Sequence, residues 1–563
     1  MTNLLQQAQS QLQELIKDAL GRAIAAGTLP AEPIPAFNVE IPADTAHGDF
    51  ASNVAMVSAR VFKQAPRKIA QAIGAELVLD GTYFEKYEIA GPGFLNFFVA
   101  PIWFADTLKG VQADGSHYGR SDFGGKKKVM VEFVSANPTG PMHIGNARGG
   151  AIGDCLSSVL DWAGYDVTRE FYINDAGNQI EKFGLSLSVR YLQIFKGEEA
   201  VPLPADAYQG RDIAVHAQNF ADIYGDKYVD CDEKTRKKAL VDYALPLNIA
   251  ALKTDLGKYR IEYDVWFRES VLHENGDVQK CIQLLADKGL TYEQDGAIFY
   301  KASEFGAEKD EVLVRANGIP TYFAADIAYH YNKFAVRGFD KVINIWGADH
   351  HGHVARLKGA MDAVGLDGSK LDIVLMQLVK LMRNGELVKV SKRTGKSITL
   401  VDLLDEVPID AARFFFNLRE ASSQMDFDLD LAVEKSSENP VYYVQYAHAR
   451  ICSILRKLQE DGVTADGTKA DFTLLTASEE RELIRYVAQL PNEIIEAAKA
   501  YDPARITRYS INLATLFHKF YNACRVHVDD EALLAARLGL CKAVQTVLEN
   551  VLALLKITAP ESM

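Results

Sequence analysis

Leu4, Leu5, Ala8, Leu12, Leu15, Ile16, Ala19 and Ala23 fall on one face at helical spacing, with Gln, Glu and Lys between them. Met1–Gly27 therefore predicts an amphipathic helix. A secretory leader would need an unbroken apolar block behind basic residues, and this stretch has none. Short β-like runs and turn residues follow, and EIAGPGFLNFFV predicts a strand pair closing a first, α+β block at residues 1–113. The Gly-rich, charged stretch DGSHYGRSDFGGKKK marks a domain boundary.

The period changes at Val129. VMVEFVS suits a buried parallel strand, and ANPTGP suits a turn. A helical pattern then runs from Met142 to Ala163 and stops at Gly164, a helix-ending position. VTREFYI reads as the next strand. Strand, turn, helix, strand is a βαβ unit, so a Rossmann-like parallel sheet is expected over residues 125–400. Residues from about 185 to 300 look helical and charged, with few strand signals, and read as an insertion between two halves of that sheet. The α/β pattern returns in TYFAADIAYH, KVINIWGADHHGHVARLKGAMDAVG and LDIVLMQLVKLM. From 401 to 563 the chain looks helical throughout, with 3.6-residue apolar stripes that predict a bundle. The expected fold class is α/β plus all-α: an N-terminal α+β domain, a Rossmann-like domain with a helical insertion, and a C-terminal helical bundle.

Composition narrows this picture a little. A chain of 563 residues suggests three or four domains at ~150 residues each. Its 48% hydrophobic and 24% charged residues exclude a disordered or collagen-like chain. The net charge of −14 argues against indiscriminate nucleic-acid binding, although a local basic groove stays open. Residues 441–563 carry 14 Lys/Arg against 15 Asp/Glu, so the C-terminal block is nearly neutral. No apolar run approaches the ~18 residues of a membrane span. Six scattered cysteines without a CxxC pair read as reduced thiols, and the expected compartment is the cytoplasm.

Two segments carry candidate chemistry. His143-Ile144-Gly145-Asn146 opens the first helix of the βαβ unit, where free N–H groups and the positive dipole end favour phosphate. Gly145, Gly149 and Gly153 recur every four residues, at ~1 kcal/mol each relative to Ala. Close helix packing and ligand approach are both open as the reason. Lys389-Val390-Ser391-Lys392-Arg393-Thr394-Gly395 follows a strand-like run; two lysines three apart could neutralise a triphosphate, or the segment is a solvated basic loop. It is not a Walker A loop, because the upstream glycine of that motif would fall on Val390. His350, His351 and His353 match no common zinc spacing and have no cysteine partner, so nucleotide contact or a structural role is expected of them.

The first segment resembles the HIGH signature of class I aminoacyl-tRNA synthetases, with Asn146 in place of the second His. The second resembles the KMSKS loop of that class, with Val for Met and Arg393 for the last Ser. The two stand in the class order, about 250 residues apart. VEFVSANPTGPMHIGNARGGAIGD, FYINDAGNQI, IPTYFAADIAYH, WGADHHGH, ENPVYYVQYAHARI and FHKFYNACRV look like the arginyl-tRNA synthetase family over essentially the whole chain.

That resemblance implies an arginine–tRNA ligase that forms arginyl-adenylate from ATP and then charges the terminal adenosine of its tRNA. It implies catalytic roles for His143, Asn146, Lys389 and Lys392, and ATP contacts from Gly145, Gly149, His350, His353 and Ser391. Glu132, Asn137, Tyr322, Asp326 and Asp349 would hold arginine, whose guanidinium needs carboxylates and planar acceptors. Magnesium would accompany ATP, with no structural zinc. The C-terminal block would bind the anticodon, with Arg450, Tyr446, Arg456, Lys519 and Arg525 as tRNA candidates, and the N-terminal block would touch the tRNA elbow. The family usually activates arginine only with tRNA bound. A monomer without a membrane partner is expected. The competing readings are another class I synthetase, a smaller HIGH-type nucleotidyltransferase, and a non-catalytic tRNA-binding paralogue that has lost its second His.

Overall fold

The computed structural model describes residues 3–42, 44–205, 207–388, 398–463 and 465–563. The N-terminal domain begins with α1 (Leu4–Ala25), capped by the Asn3 side chain, and its predicted apolar face is buried. It continues through β1 (Val39–Glu40), β2 (Phe50–Ser52), α2 (Val54–Phe62), α3 (Pro66–Ala75), β3 (Phe84–Ala90) and β4 (Phe94–Val99). The strands form an antiparallel sheet in the order β1-β2-β4-β3, and β3/β4 is the expected pair. Phe84 meets Phe50 and Phe97 edge-on, at 5.7 and 5.9 Å between ring centres, which orients the core. α4 (Pro101–Asp114) carries the chain onward. The stretch after it is no free linker. Tyr118 is buried with its hydroxyl donating to Val487 O at 3.2 Å, and Asn550 Nδ2 donates to Gly115 O at 2.9 Å. The boundary is therefore packed against the C-terminal bundle.

The central domain contains β5 (Lys128–Glu132), α5 (Ile144–Trp162), β6 (Asp166–Ile173), α6 (Gly177–Lys196), α7 (Arg211–Tyr224), α8 (Glu233–Lys258) and β7 (Val265–Arg268). Then come α9 (Glu269–Glu274), α10 (Asp277–Asp287), β8 (Thr291–Gln294), β9 (Ala297–Tyr300), β10 (Glu311–Val314), α11 (Tyr322–Tyr331), β11 (Lys341–Gly347), α12 (His351–Ala363) and β12 (Leu371–Met376). Five strands form a parallel sheet in the order β12-β11-β5-β6-β7. The order reverses between β5 and β11, so a crevice opens beyond their carboxyl ends, where ligands of such sheets bind.

The expected helical insertion at about 185–300 is corrected here. Its helices are α6–α8 before β7, with α9 and α10 after it. β7 belongs to the main sheet, and β8–β10 make a separate three-stranded antiparallel sheet. VWFR is too short for its period to announce a strand.

The chain goes on through β13 (Val379–Arg383), β14 (Glu386–Leu387), α13 (Leu400–Glu406), α14 (Ile409–Phe416), β15 (Met425–Asp428) and α15 (Leu429–Val433). β15 pairs in parallel with β13, so the stretch after 401 is not helical throughout. Only from α16 (Pro440–Glu460), through α17 (Ser478–Ala488), α18 (Leu490–Ala500), α19 (Ala504–Ala523) and α20 (Glu531–Leu554), is the chain a helical bundle. A buried guanidinium joins the parts: Arg413 pairs with Asp154 at 2.5 Å and donates to Tyr259 O and Leu555 O. No helix among the described residues is long and apolar enough to cross a membrane.

Candidate active site

The crevice is shaped by the loop after β5. Val134 and Ser135 take φ of +70° and +42°. A β-branched residue there is strained, and such strain gathers at functional sites. Ser135 secures the bend: its Oγ donates to Glu132 Oε1 at 2.9 Å and accepts from Tyr172 N at 3.1 Å. Two adjoining cavities meet at this loop. One of about 640 Å³ is lined by Glu132, Asn137, Tyr322, Asp326, His353 and others. One of about 260 Å³ is lined by His143, Gly145, Gly149, Asp349, Met376 and Gln377. Asn146 borders both.

α5 opens the smaller cavity. His143 is its N-cap, and its Nδ1 accepts from Gly145 N at 3.4 Å. Asn146 Oδ1 accepts from His143 N at 3.0 Å, which completes a reciprocal cap. The amide oxygen of Asn146 is thereby used, while its amide nitrogen is left to donate elsewhere. The glycines divide between the two reasons offered for them. A Cβ on Gly153 would sit 2.2 Å from the Phe133 ring, so that glycine serves packing. A Cβ on Gly145 or Gly149 would meet nothing closer than 3.6 Å, and both border the cavity.

Sequence reasoning missed Arg148, one turn along. It is fully buried and donates to the carbonyls of Gln377 (2.7 Å), Glu420 (3.0 Å) and Ser423 (3.0 Å). It thus fixes the β12–β13 turn that walls the smaller cavity. Ile144 N donates to Ile398 O at 3.2 Å, and Leu400 N donates to Met142 O at 3.0 Å. The chain beyond the second motif therefore returns to the start of α5. Lys389, Ser391 and Lys392 lie outside the described residues.

The larger cavity gathers carboxylates. Thr321 caps α11 and sets Tyr322 and Asp326 one turn apart. Asp326 Oδ2 accepts from His353 Nε2 at 3.0 Å, His353 Nδ1 accepts from Arg356 Nε at 2.5 Å, and Arg356 NH1 donates to Glu311 at 2.8 Å. The second contact fixes the tautomer of His353, so an N–H faces Asp326. His353 therefore serves Asp326 on the larger side, where nucleotide contact had been expected of it. Asp349, expected beside arginine, borders the smaller cavity instead, with its side chain 80% exposed. His350 is exposed at the rim of the larger cavity. Glu132 lies in its wall and Asn137 at its exposed edge.

Sequence reasoning also missed Glu269, which is 3% exposed at the start of α9 and hydrogen-bonded to Tyr172 and His273. Its glutamate identity was visible, but the approach of α9 to α11 was not. Burial, with a smaller push from Asp326, raises its pKa above the usual carboxylate range. A cation bound between Asp326 and Glu269 favours the ionised form, so binding releases a proton as pH falls through that raised pKa. The dissociation constant of a cationic ligand held there should therefore rise on acidification through that raised pKa, and Glu269→Gln should flatten that rise. Equal slopes in parent and variant would remove Glu269 from the site.

In the bundle, α16 and α19 bring Tyr446, Arg450, His518 and Tyr521 together. The Arg450 guanidinium lies 4.2 Å from the Tyr521 ring centre, and Tyr442 stacks on Tyr446 at 6.3 Å. Arg456, Lys519 and Arg525 are exposed. Among the described residues no three His, Cys, Asp or Glu side chains converge as a metal cage.

Comparison with known proteins gives three matches along the chain. Residues 108–451 match the catalytic domain of class I (R) tRNA synthetases, residues 10–99 the arginyl tRNA synthetase N-terminal domain, and residues 444–563 the DALR anticodon binding domain. A protein of Caldanaerobacter subterraneus subsp. tengcongensis named arginine–tRNA ligase is 56% identical over 564 residues, covering 100% of both chains. One of that name from Ruminiclostridium cellulolyticum is 54% identical over 566 residues, again covering 100% of both. The solved arginyl-tRNA synthetase of Thermus thermophilus shares the fold, with a TM-score of 0.73 at 22% identity over 99% of this chain and 100% of that one.

Proposed function

The chain belongs to the arginyl-tRNA synthetase family of class I and is an ATP-dependent arginine–tRNA ligase, and we propose that its two adjoining cavities divide the first half-reaction between them. The larger takes arginine and the smaller takes ATP. The observation that carries this reading is the Asp326 carboxylate, held by a histidine N–H in the larger cavity, with the buried Glu269 carboxylate in the wall of a neighbouring cavity of about 540 Å³ that shares Tyr322. Together they match a guanidinium, which offers five donors and a fixed positive charge.

The α-carboxylate of arginine attacks the α-phosphate of ATP, pyrophosphate leaves, and the 2′-hydroxyl of the tRNA's terminal adenosine then takes the arginyl group. The protein's task is positioning and charge stabilisation. His143 and the Asn146 amide nitrogen, at the positive dipole end of α5, face the phosphate as negative charge gathers on it. Lys389 and Lys392 neutralise the β- and γ-phosphates. Magnesium travels with the triphosphate, as is usual for that ion. The cluster of Tyr442, Tyr446, Arg450 and Tyr521 offers stacking faces and a cation for anticodon bases.

Arginine-dependent ATP–pyrophosphate exchange tests the assignment. Arginine should support exchange, and lysine or citrulline should be poorer by ~10⁴, because each leaves acceptors of the site unpaired. Running the assay with and without tRNA for arginine shows whether RNA completes the site. Exchange driven better by another amino acid would refute the arginine assignment.

A further inference from the structure

Beneath the larger cavity lies a row of buried polar side chains to which no substrate contact has been assigned. Lys333 is fully buried, and its Nζ is 2.5 Å from Glu132 Oε2. It comes from a turn of π-helix, Asn332–Val336, that continues α11. Such widened turns are frequent at functional sites. The same ammonium reaches Asn344 Oδ1 at 3.3 Å and lies 4.0 Å from the Tyr329 ring centre. Asn344 Nδ2 donates to His330 Nε2 at 2.8 Å, which leaves the ring proton on Nδ1, and Nδ1 donates to Asp326 O at 2.8 Å. Burial, together with the Lys333 cation, holds His330 well below the usual imidazole range and keeps that neutral tautomer in place. A continuous path thus runs from Glu132 through Lys333, Asn344 and His330 to the backbone of Asp326. It joins two walls of one cavity.

A buried Lys–Glu pair is a poor source of stability, since a well-packed apolar pair of similar volume is often as stable. Its position under the cavity suggests another use. Ser135 and Lys333 each take one oxygen of Glu132, and a carboxylate has about four acceptor sites, so both oxygens keep capacity toward the cavity. We propose that Lys333 is a positioning residue for the amino acid: it holds the Glu132 carboxylate oriented to receive a cationic group of arginine, and ties that wall to the turn presenting Asp326. This rests on reading the larger cavity as the arginine site.

In the full chain, Lys333→Met is expected to raise KM for arginine about thirtyfold or more, with KM for ATP within about twofold. In a Glu132→Gln background the same change should raise the arginine KM no further, because its target is gone. A Lys333 that merely supports the fold gives independent, additive losses. Additive losses, or an unchanged arginine KM in Lys333→Met, overturn the proposal. If Lys333→Met alone does not fold, Glu132→Gln/Lys333→Met, which leaves no unpaired charge, is compared with Glu132→Gln and decides by the same criterion. Asp326→Asn measured in parallel separates the two failures. If it too leaves the arginine KM unchanged, the cavity is not the arginine site and the parent reading falls.

Discussion

Asp326→Asn should raise KM for arginine by about a hundredfold, within a range of about 30-fold to about 5000-fold, and change KM for ATP little. The substitution is nearly isosteric, so α11 and the cavity keep their shape. What changes is charge and donor direction. Asp326 now accepts from the Nε2–H of His353, whose tautomer is set by Arg356, which is itself held by Glu311. An asparagine retains one acceptor for His353, but its amide nitrogen then faces the donors of the guanidinium. Two unit charges about 4 Å apart at an effective dielectric constant of about 20 attract by roughly 4 kcal/mol, and the net loss after desolvation is smaller. Glu269 remains as a second carboxylate, which keeps the loss from being total. Initial rates of pyrophosphate exchange over a range of arginine concentrations measure it. An arginine KM within threefold of the parent would move the guanidinium away from Asp326.

Local pattern made the scaffold legible and left the constellation obscure. The βαβ unit was readable because β5, α5 and β6 each carry enough residues for a period to show. β7 and β15 are four residues each, and their partners lie far off in sequence or follow a turn, so pairing rather than period defines them. Placements that follow from local spacing agree with the structure: His143 and Asn146 stand at a helix start, and Tyr322 and Asp326 lie one turn apart. Residues that act through contacts across the sheet were missed. Arg148 is an ordinary helix residue until its three carbonyl partners are seen, and Lys333 looks like a surface lysine until the π-turn places it under Glu132. His353 was named for a nucleotide contact, and its bond to Asp326 was not foreseen, because the sequence does not tell which way α12 faces as it leaves β11. The glycine repeat was equally ambiguous, since only the positions of Phe133 and Met376 separate a packing glycine from an open one.

The same logic makes stability and activity part company at Asn146, and this is the second large expected effect. Asn146→Asp should slow adenylate formation by about 10³ while the melting temperature stays level or rises slightly. The cap survives, because a carboxylate oxygen accepts from His143 N as the amide oxygen does now. A negative charge in the first turn also suits the positive end of α5. The other end of the side chain decides the rate. The amide nitrogen is a donor at the junction of the two cavities, and aspartate replaces it with a charge of the same sign as the phosphate. Losing one donor aimed at developing charge costs about 10²–10³ in rate, and repulsion adds to that. Single-turnover formation of arginyl-adenylate, with a thermal melt of the same sample, measures both quantities. A variant that loses rate and stability together would mean that Asn146 acts only as the cap of α5. A variant that keeps its rate would mean that the amide does not meet the phosphate.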